Sequence, residues 1–333
     1  MTRTWIIAAG AGVLSALLFL AAGVGSPGAM VLVGLSPLPL FAMGLGAGLV
    51  SSLAAGTSAT ALIGAINLNA GLSRGDALDE EALSLLIPAA AFAAAIALPA
   101  IVLVRQTLLS RIDATGRLEW YPPGRLAMWL VGIGIAVFLV ATALLALLSG
   151  GRSVEERLSR LFSSMFMAYA GPTFVAQLQQ AIDVISALPA LLAQTWLLVI
   201  AGNGILAQSV LVRFQHNLRP SPPMGSLELP RAAGILALVA LGLTFAGNGW
   251  LEFVGRNLLV LLAVAFFFAG LGVIHGLLRP SAHRLGALIG FYAVASAFAF
   301  LFLSPVMVLA LVGFVDHWIH FRQRFGGSAP GTA

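Results

Sequence analysis

The chain has 333 residues, of which 60% are apolar and only 9% are charged. An ordinary soluble domain is roughly 25% charged, and so few charged side chains cannot cover a soluble fold of this length. Cysteine and lysine are both absent, all 17 basic residues being arginine; this excludes disulfides, thiolate nucleophiles, Schiff-base catalysis and the lysine of a Walker phosphate loop.

Apolar runs closed by charge or by Gly/Pro clusters give the spans. The first runs from Trp5 to about Val24 behind Arg3, and the many spans that follow favour an uncleaved helix over a signal peptide. Residues 29–66 carry no charge. That stretch is too long for one crossing and fits two, with a break at Gly44, Gly46 and Gly48 and a kink at Pro37 and Pro39. Further runs fall at 84–104, 126–149, 188–212, 232–248, 257–278, 285–303 and 305–321. The expected fold is therefore an all-α polytopic transmembrane helical bundle of about ten spans. Eight is the alternative, if 29–66 or 285–321 is re-entrant. One integral membrane domain covers 1–324, and 325–333 form a Gly/Ser/Pro-rich, disordered cytoplasmic tail.

Arginine placement sets the orientation. With the N-terminus inside and the spans alternating, 12 of the 17 arginines fall on the cytoplasmic face, four of them in the 105–125 loop. Most acids, including Asp76, Asp79, Glu80 and Glu81, fall outside. This is the positive-inside bias of a multi-pass inner-membrane protein with both termini cytoplasmic. It also accounts for the net charge of +5 without a nucleic-acid partner. The outer segment 150–187 places Leu158, Leu161, Phe162, Met165 and Phe166 on one helical face and Glu155, Glu156, Ser159, Arg160 and Ser163 on the other. That pattern predicts an amphipathic helix on the outer leaflet or capping the bundle.

Polar side chains inside spans are costly and often functional. The sixth span holds Gln194, Thr195, Asn203, Gln208 and Ser209. Gln194 and Gln208 come within about 40° of one helical face, and Asn203 stands between Gly202 and Gly204. Either these amides join neighbouring helices or they line a ligand or ion pathway. Asp316, His317 and His320 close the last span, where an Asp and a His one turn apart suit a metal or a proton relay, or simple snorkelling to the interface. The candidate ligand-binding residues are thus Gln194, Asn203, Gln208 and Asp316, with no catalytic residue, no metal ligand set and no cofactor. Gly71-Leu-Ser-Arg-Gly75 matches the nucleophile-elbow pattern, but no strand–turn–helix accompanies it. Gly44-x-x-x-Gly48, Gly272-x-x-x-Gly276 and Gly286-x-x-x-Gly290 read as close helix packing.

Several local features carry a resemblance. Pro37 to Leu40 reads Pro-Leu-Pro-Leu, and the basic loop ends in Glu119-Trp120-Tyr121-Pro122 before Gly124-Arg125-Leu126. Gly272 to His275 reads Gly-Val-Ile-His, and the last span closes on Gly313-Phe314-Val315-Asp316-His317-Trp318. Over roughly residues 1–324 the chain resembles the YybS-like predicted bacterial membrane proteins, a domain family of unknown function, in their alphaproteobacterial form. That family is similar, distantly, to the substrate-binding subunits of energy-coupling-factor transporters. The resemblance implies small-molecule binding and a coupling-protein partner, and it supplies no site residues. The resulting expectation is a non-enzymatic protein whose surroundings are the lipid bilayer and whose ligand is a small molecule or ion. The alternative is a membrane scaffold or regulatory protein acting through protein partners bound at 150–187 or 105–125.

Overall fold

The computed structural model describes residues 2–74, 84–148, 160, 182–279, 281–301 and 305–321. The predicted amphipathic segment 150–187, apart from Arg160 and residues 182–187, the acidic stretch 76–81 and the tail 325–333 lie outside the described residues. Helices dominate: α1 Thr2–Leu20, α2 Pro27–Gly34, α3 Leu38–Ala47, α4 Leu49–Arg74, α5 Ile87–Phe92, α6 Leu98–Thr107, α7 Pro123–Leu148, α8 Ile182–Arg213, α9 Arg231–Ala246, α10 Trp250–Leu277, α11 Arg284–Leu301 and α12 Pro305–Ile319. Among the described residues, seven helical stretches are long and apolar enough to cross a bilayer, namely Arg3–Val24, Pro27–Ala47, Leu49–Gly71, Ile87–Thr107, Pro123–Leu144, Leu188–Arg213 and Trp250–Leu277. Three more apolar helices, Arg231–Ala246, Arg284–Phe298 and Pro305–Ile319, are shorter. The chain is an all-α polytopic helical protein, as its composition requires.

The boundaries have local causes. Gly25 adopts φ 67° and ends the first helix. Ser26 then caps α2, its hydroxyl accepting from the Ala29 N–H at 3.2 Å with Pro27 at the first helical position. Gly48, at φ 96°, separates α3 from α4 inside the uncharged stretch, at one of the predicted glycines. Pro37 and Pro39 do more than kink the preceding span: α2 stops at Gly34 and α3 starts afresh at Leu38. Pro99 has no N–H for the carbonyl four residues back, and the helix widens into a π turn over Ala93–Ala97.

A β-hairpin in the basic loop is absent from the sequence expectation. Ser110–Ile112 (β1) pairs antiparallel with Leu118–Trp120 (β2), in the register Ser110–Trp120, Arg111–Glu119 and Ile112–Leu118. The Asp113 carboxylate organises the turn, with Oδ1 accepting from the Thr115 N–H at 2.8 Å, the Thr115 hydroxyl at 2.7 Å and the Arg117 N–H at 2.8 Å. Gly116 takes the left-handed position at φ 80°. The Thr115 hydroxyl, the Arg117 N–H and the other turn donors hold the Asp113 carboxyl below its ordinary value.

The chain divides into two compact units: Met1–Pro122 with Leu198–Pro222, and Pro123–Leu197 with Pro223–Ala333. In the first, α1 packs on α4, and α3 packs on both α4 and α6. Ala8, Ala16, Ala55 and Ala59 are fully buried along the α1–α4 seam, and a side chain at Gly12 would meet the Ala55 carbonyl. Small residues let backbones approach where lipid supplies no hydrophobic drive. In the second unit α10 is central, packed by α12, α9 and α7. Its buried residues run almost continuously from Val260 to Val273, as expected of a helix apolar on every side. Gly270 and Gly313 bring the α10 and α12 backbones together: a Cβ on Gly313 would lie 2.6 Å from the Gly270 nitrogen. Phe266 and Phe314 flank that crossing edge to face, their centroids 5.3 Å apart. By contrast, Gly286 and Gly290 have no described atom within 4 Å of where a Cβ would stand, so this predicted packing motif contacts nothing among the described residues.

Candidate functional site

The interrupted span Pro27–Ala47 creates the polar neighbourhood of the first unit. A helix broken at residues 35–37 frees carbonyls that an apolar medium cannot solvate. Side chains take them up. The Ser15 hydroxyl donates to the Ser36 carbonyl at 2.5 Å, and the Ser36 hydroxyl to the Val33 carbonyl at 2.7 Å. Asn203, from the sixth predicted span, donates Nδ2 to the Gly34 carbonyl at 2.7 Å and to Val199, one turn back in its own helix, at 2.8 Å. Both donor bonds land on carbonyl oxygens, which fixes the amide the way round it stands. Asn203 is 5% exposed, and its Oδ1 is buried with no hydrogen-bond partner among the described residues.

Gln208, in the same unit, donates Nε2 to the Arg219 carbonyl at 2.7 Å and to the Ser221 hydroxyl at 3.3 Å, and its Oε1 is likewise unpartnered. Gln194 and Asp316 belong to the second unit. Gln194 is buried with Nε2 unpartnered among the described residues, and Asp316 is 3% exposed. The Asp316 carbonyl accepts from the His320 N–H at 2.8 Å, and His320, at φ 58°, already lies beyond α12. The His317 ring packs against Gly234 and stands 6.0 Å from the Phe266 centroid. Among the described residues no three His, Asp or Glu side chains are placed to share a metal ion. Ser73 lies on α4 and returns its hydroxyl to the Asn69 carbonyl at 2.7 Å, so this serine stands within a helix and not on a strand-to-helix turn.

One organising residue escapes the sequence reading. Arg219 is 4% exposed although it lies in the loop after α8. Its NH1 donates to the Thr107 carbonyl at the end of α6, and its NH2 to the Tyr121 carbonyl, each at 2.8 Å. The guanidinium carbon stands 5.7 Å over the Trp120 ring. One cation thereby ties together both ends of the hairpin. Burial pushes its pKa below the usual arginine value, and carbonyls at a helix C-terminus compensate the charge. In sequence Arg219 is one more positive-inside arginine; only the contact with residues about a hundred positions away distinguishes it.

Residues 120–317, well over half of the chain, match the family described as predicted membrane protein (DUF2232). The match includes Gln194, Asn203, Gln208 and Asp316 but not the broken helix around Gly34. No curated protein and no solved structure matches the chain.

Proposed function

Because the chain belongs to this family of predicted membrane proteins, we propose that it binds a small molecule inside its helical bundle, in the manner of a transporter's substrate-binding part, and that it carries out no catalysis. The observation that carries this reading is the Asn203 amide. Its donor side is committed to the Gly34 carbonyl of the broken helix and to Val199, while its acceptor oxygen is buried with no partner among the described residues. An orphaned buried acceptor costs about 1–3 kcal/mol, which a ligand with an N–H or O–H donor offsets. Discontinuous helices near mid-membrane are where transporters commonly place their sites. An acceptor oxygen in an apolar span suits a largely apolar molecule carrying one amine, amide or hydroxyl group.

The resemblance to YybS-like proteins, and through them to the substrate-binding subunits of energy-coupling-factor transporters, supports the same reading. Without lysine the chain has no Walker phosphate loop of its own, so an ATP-driven cycle would need a coupling partner. The arginine distribution supports residence in the inner membrane with both termini cytoplasmic. Native mass spectrometry of the protein released from its own membranes tests the proposal. A bound small molecule of constant mass is expected; bare protein under every release condition would overturn it.

A further inference from the structure

We infer that the hairpin Ser110–Trp120 lies on its own bilayer, with Ile112 and Leu118 seated at the boundary between headgroups and acyl chains. The register gives the hairpin two faces. Ser110, Ile112, Leu118 and Trp120 share one, and Arg111 and Glu119 oppose each other on the other. The charged face is complete in itself: Arg111 Nε meets Glu119 Oε2 at 2.7 Å, and the arginine side chain is well exposed. Trp120 on the apolar face lies under Arg219, whereas beyond it the face is open among the described residues, Ile112 being 73% and Leu118 57% exposed. An isolated two-stranded hairpin is marginal in water, and an uncovered apolar face makes it more so.

Position and length select the occupant. The apolar helix before the hairpin ends at Thr107 and the next begins at Pro123, so only residues 108–122 lie between two candidate spans. Arg219 grips both Thr107 and Tyr121, which pins the root of the hairpin where those helices end. Strands of three residues reach about 10 Å, comparable with the headgroup layer of about 5–8 Å on each side of the hydrocarbon. A hairpin rooted at the edge of the hydrocarbon and lying along the surface stays within the interface. Trp120 beneath the Arg219 guanidinium is the aromatic expected at that depth. Arg105, exposed and with no acidic partner among the described residues, suits a lipid phosphate.

Because the chain has no cysteine, single cysteines report cleanly. The variants are Ile112→Cys and Leu118→Cys on the apolar face, with Ala114→Cys and Arg117→Cys as the water-facing pair. Each carries an environment-sensitive fluorophore in nanodiscs of phosphatidylethanolamine and phosphatidylglycerol containing acyl-chain nitroxide lipid. Positions 112 and 118 are expected to emit to the blue and to be quenched several-fold more strongly than 114 and 117. Two positions are read on each face so that one variant that fails to fold does not decide the result. Equal quenching at all four overturns the inference. So does shielding of 112 and 118 that appears only in native membranes, because a protein partner would then cover the face.

Discussion

Adding one methyl group at Gly270 should separate two helices that the fold needs in contact. A Cβ there would meet the Leu309 carbonyl oxygen directly, with the carbonyl carbon 2.8 Å away and the Gly313 nitrogen 3.3 Å away. A close C–H···O approach is about 3.3–3.6 Å, so α12 must withdraw by on the order of 1 Å. The obstacle is backbone on both sides and cannot rotate away. Withdrawal also loosens the Phe266–Phe314 contact and uncovers Leu309 and Ala310, both buried. Overpacking of this kind costs about 1–3 kcal/mol, against which alanine returns at most about 1 kcal/mol of helix propensity. Gly270→Ala should therefore lower the melting temperature in detergent by roughly 2–8 °C. Gly290→Ala, with no described atom within 4 Å of where its Cβ would stand, is the matched control and should melt as the wild type or slightly higher. If Gly270→Ala melts no lower than Gly290→Ala, the α10–α12 crossing is not as described.

Three other perturbations test separate parts of the account. Gly124→Ala places a Cβ against the Glu228 carbonyl, where the loop after α8 crosses the start of α7, and should cost roughly 1–3 kcal/mol in thermal unfolding. Arg219→Met removes both bonds at the root of the hairpin; at about 1.5 kcal/mol or more for each charge-assisted bond, amide exchange across 108–122 should quicken by on the order of a hundredfold. The folded Asp113 carboxyl titrates below its ordinary value, so its contribution to the turn is full above the unfolded pKa and is lost as the pH falls through the folded one. Acidification should lower the protection factors of the Thr115 and Arg117 amides, their exchange being read against the intrinsic rate at each pH, and Asp113→Ala should show the low protection already at neutral pH.

The helices were legible because their cause is composition and run length, both local. Ten apolar segments were expected, and each coincides with a helix or a broken pair of helices; three of them are shorter than the other seven. The break at Gly48 could be read because glycine is needed where φ is positive. The hairpin was missed although Asp113-Ala-Thr-Gly116 carries a turn signal, because a search by apolar run ignores three-residue strands. Glycine spacing proved a weak guide. Gly44 does pack, since a Cβ on it would stand 2.5 Å from the Val104 side chain, whereas Gly286 and Gly290 meet nothing described, and the tight α10–α12 crossing pairs Gly270 with Gly313, 43 positions apart, which no motif spans. The candidate amides were visible as polar residues in an apolar span. Their partners were not, since Gly34 lies 169 residues from Asn203. Nor could the sequence separate Gln194 and Asp316 from Asn203 and Gln208, which belong to different compact units.

A ligand on the Asn203 oxygen, which has no partner among the described residues, would be detected by ligand content measured beside stability. Asn203→Ala also releases the Gly34 carbonyl, so a stability loss of roughly 0.6–2 kcal/mol is expected whether or not a ligand binds. The deciding quantity is the amount of co-purified small molecule per folded protein, read by native mass spectrometry at matched folded fraction. The account predicts that it falls by about tenfold in Asn203→Ala, since one good polar contact contributes about 1.4 kcal/mol. Unchanged ligand content in a destabilised Asn203→Ala protein would contradict it and leave the amide as a strut between helices.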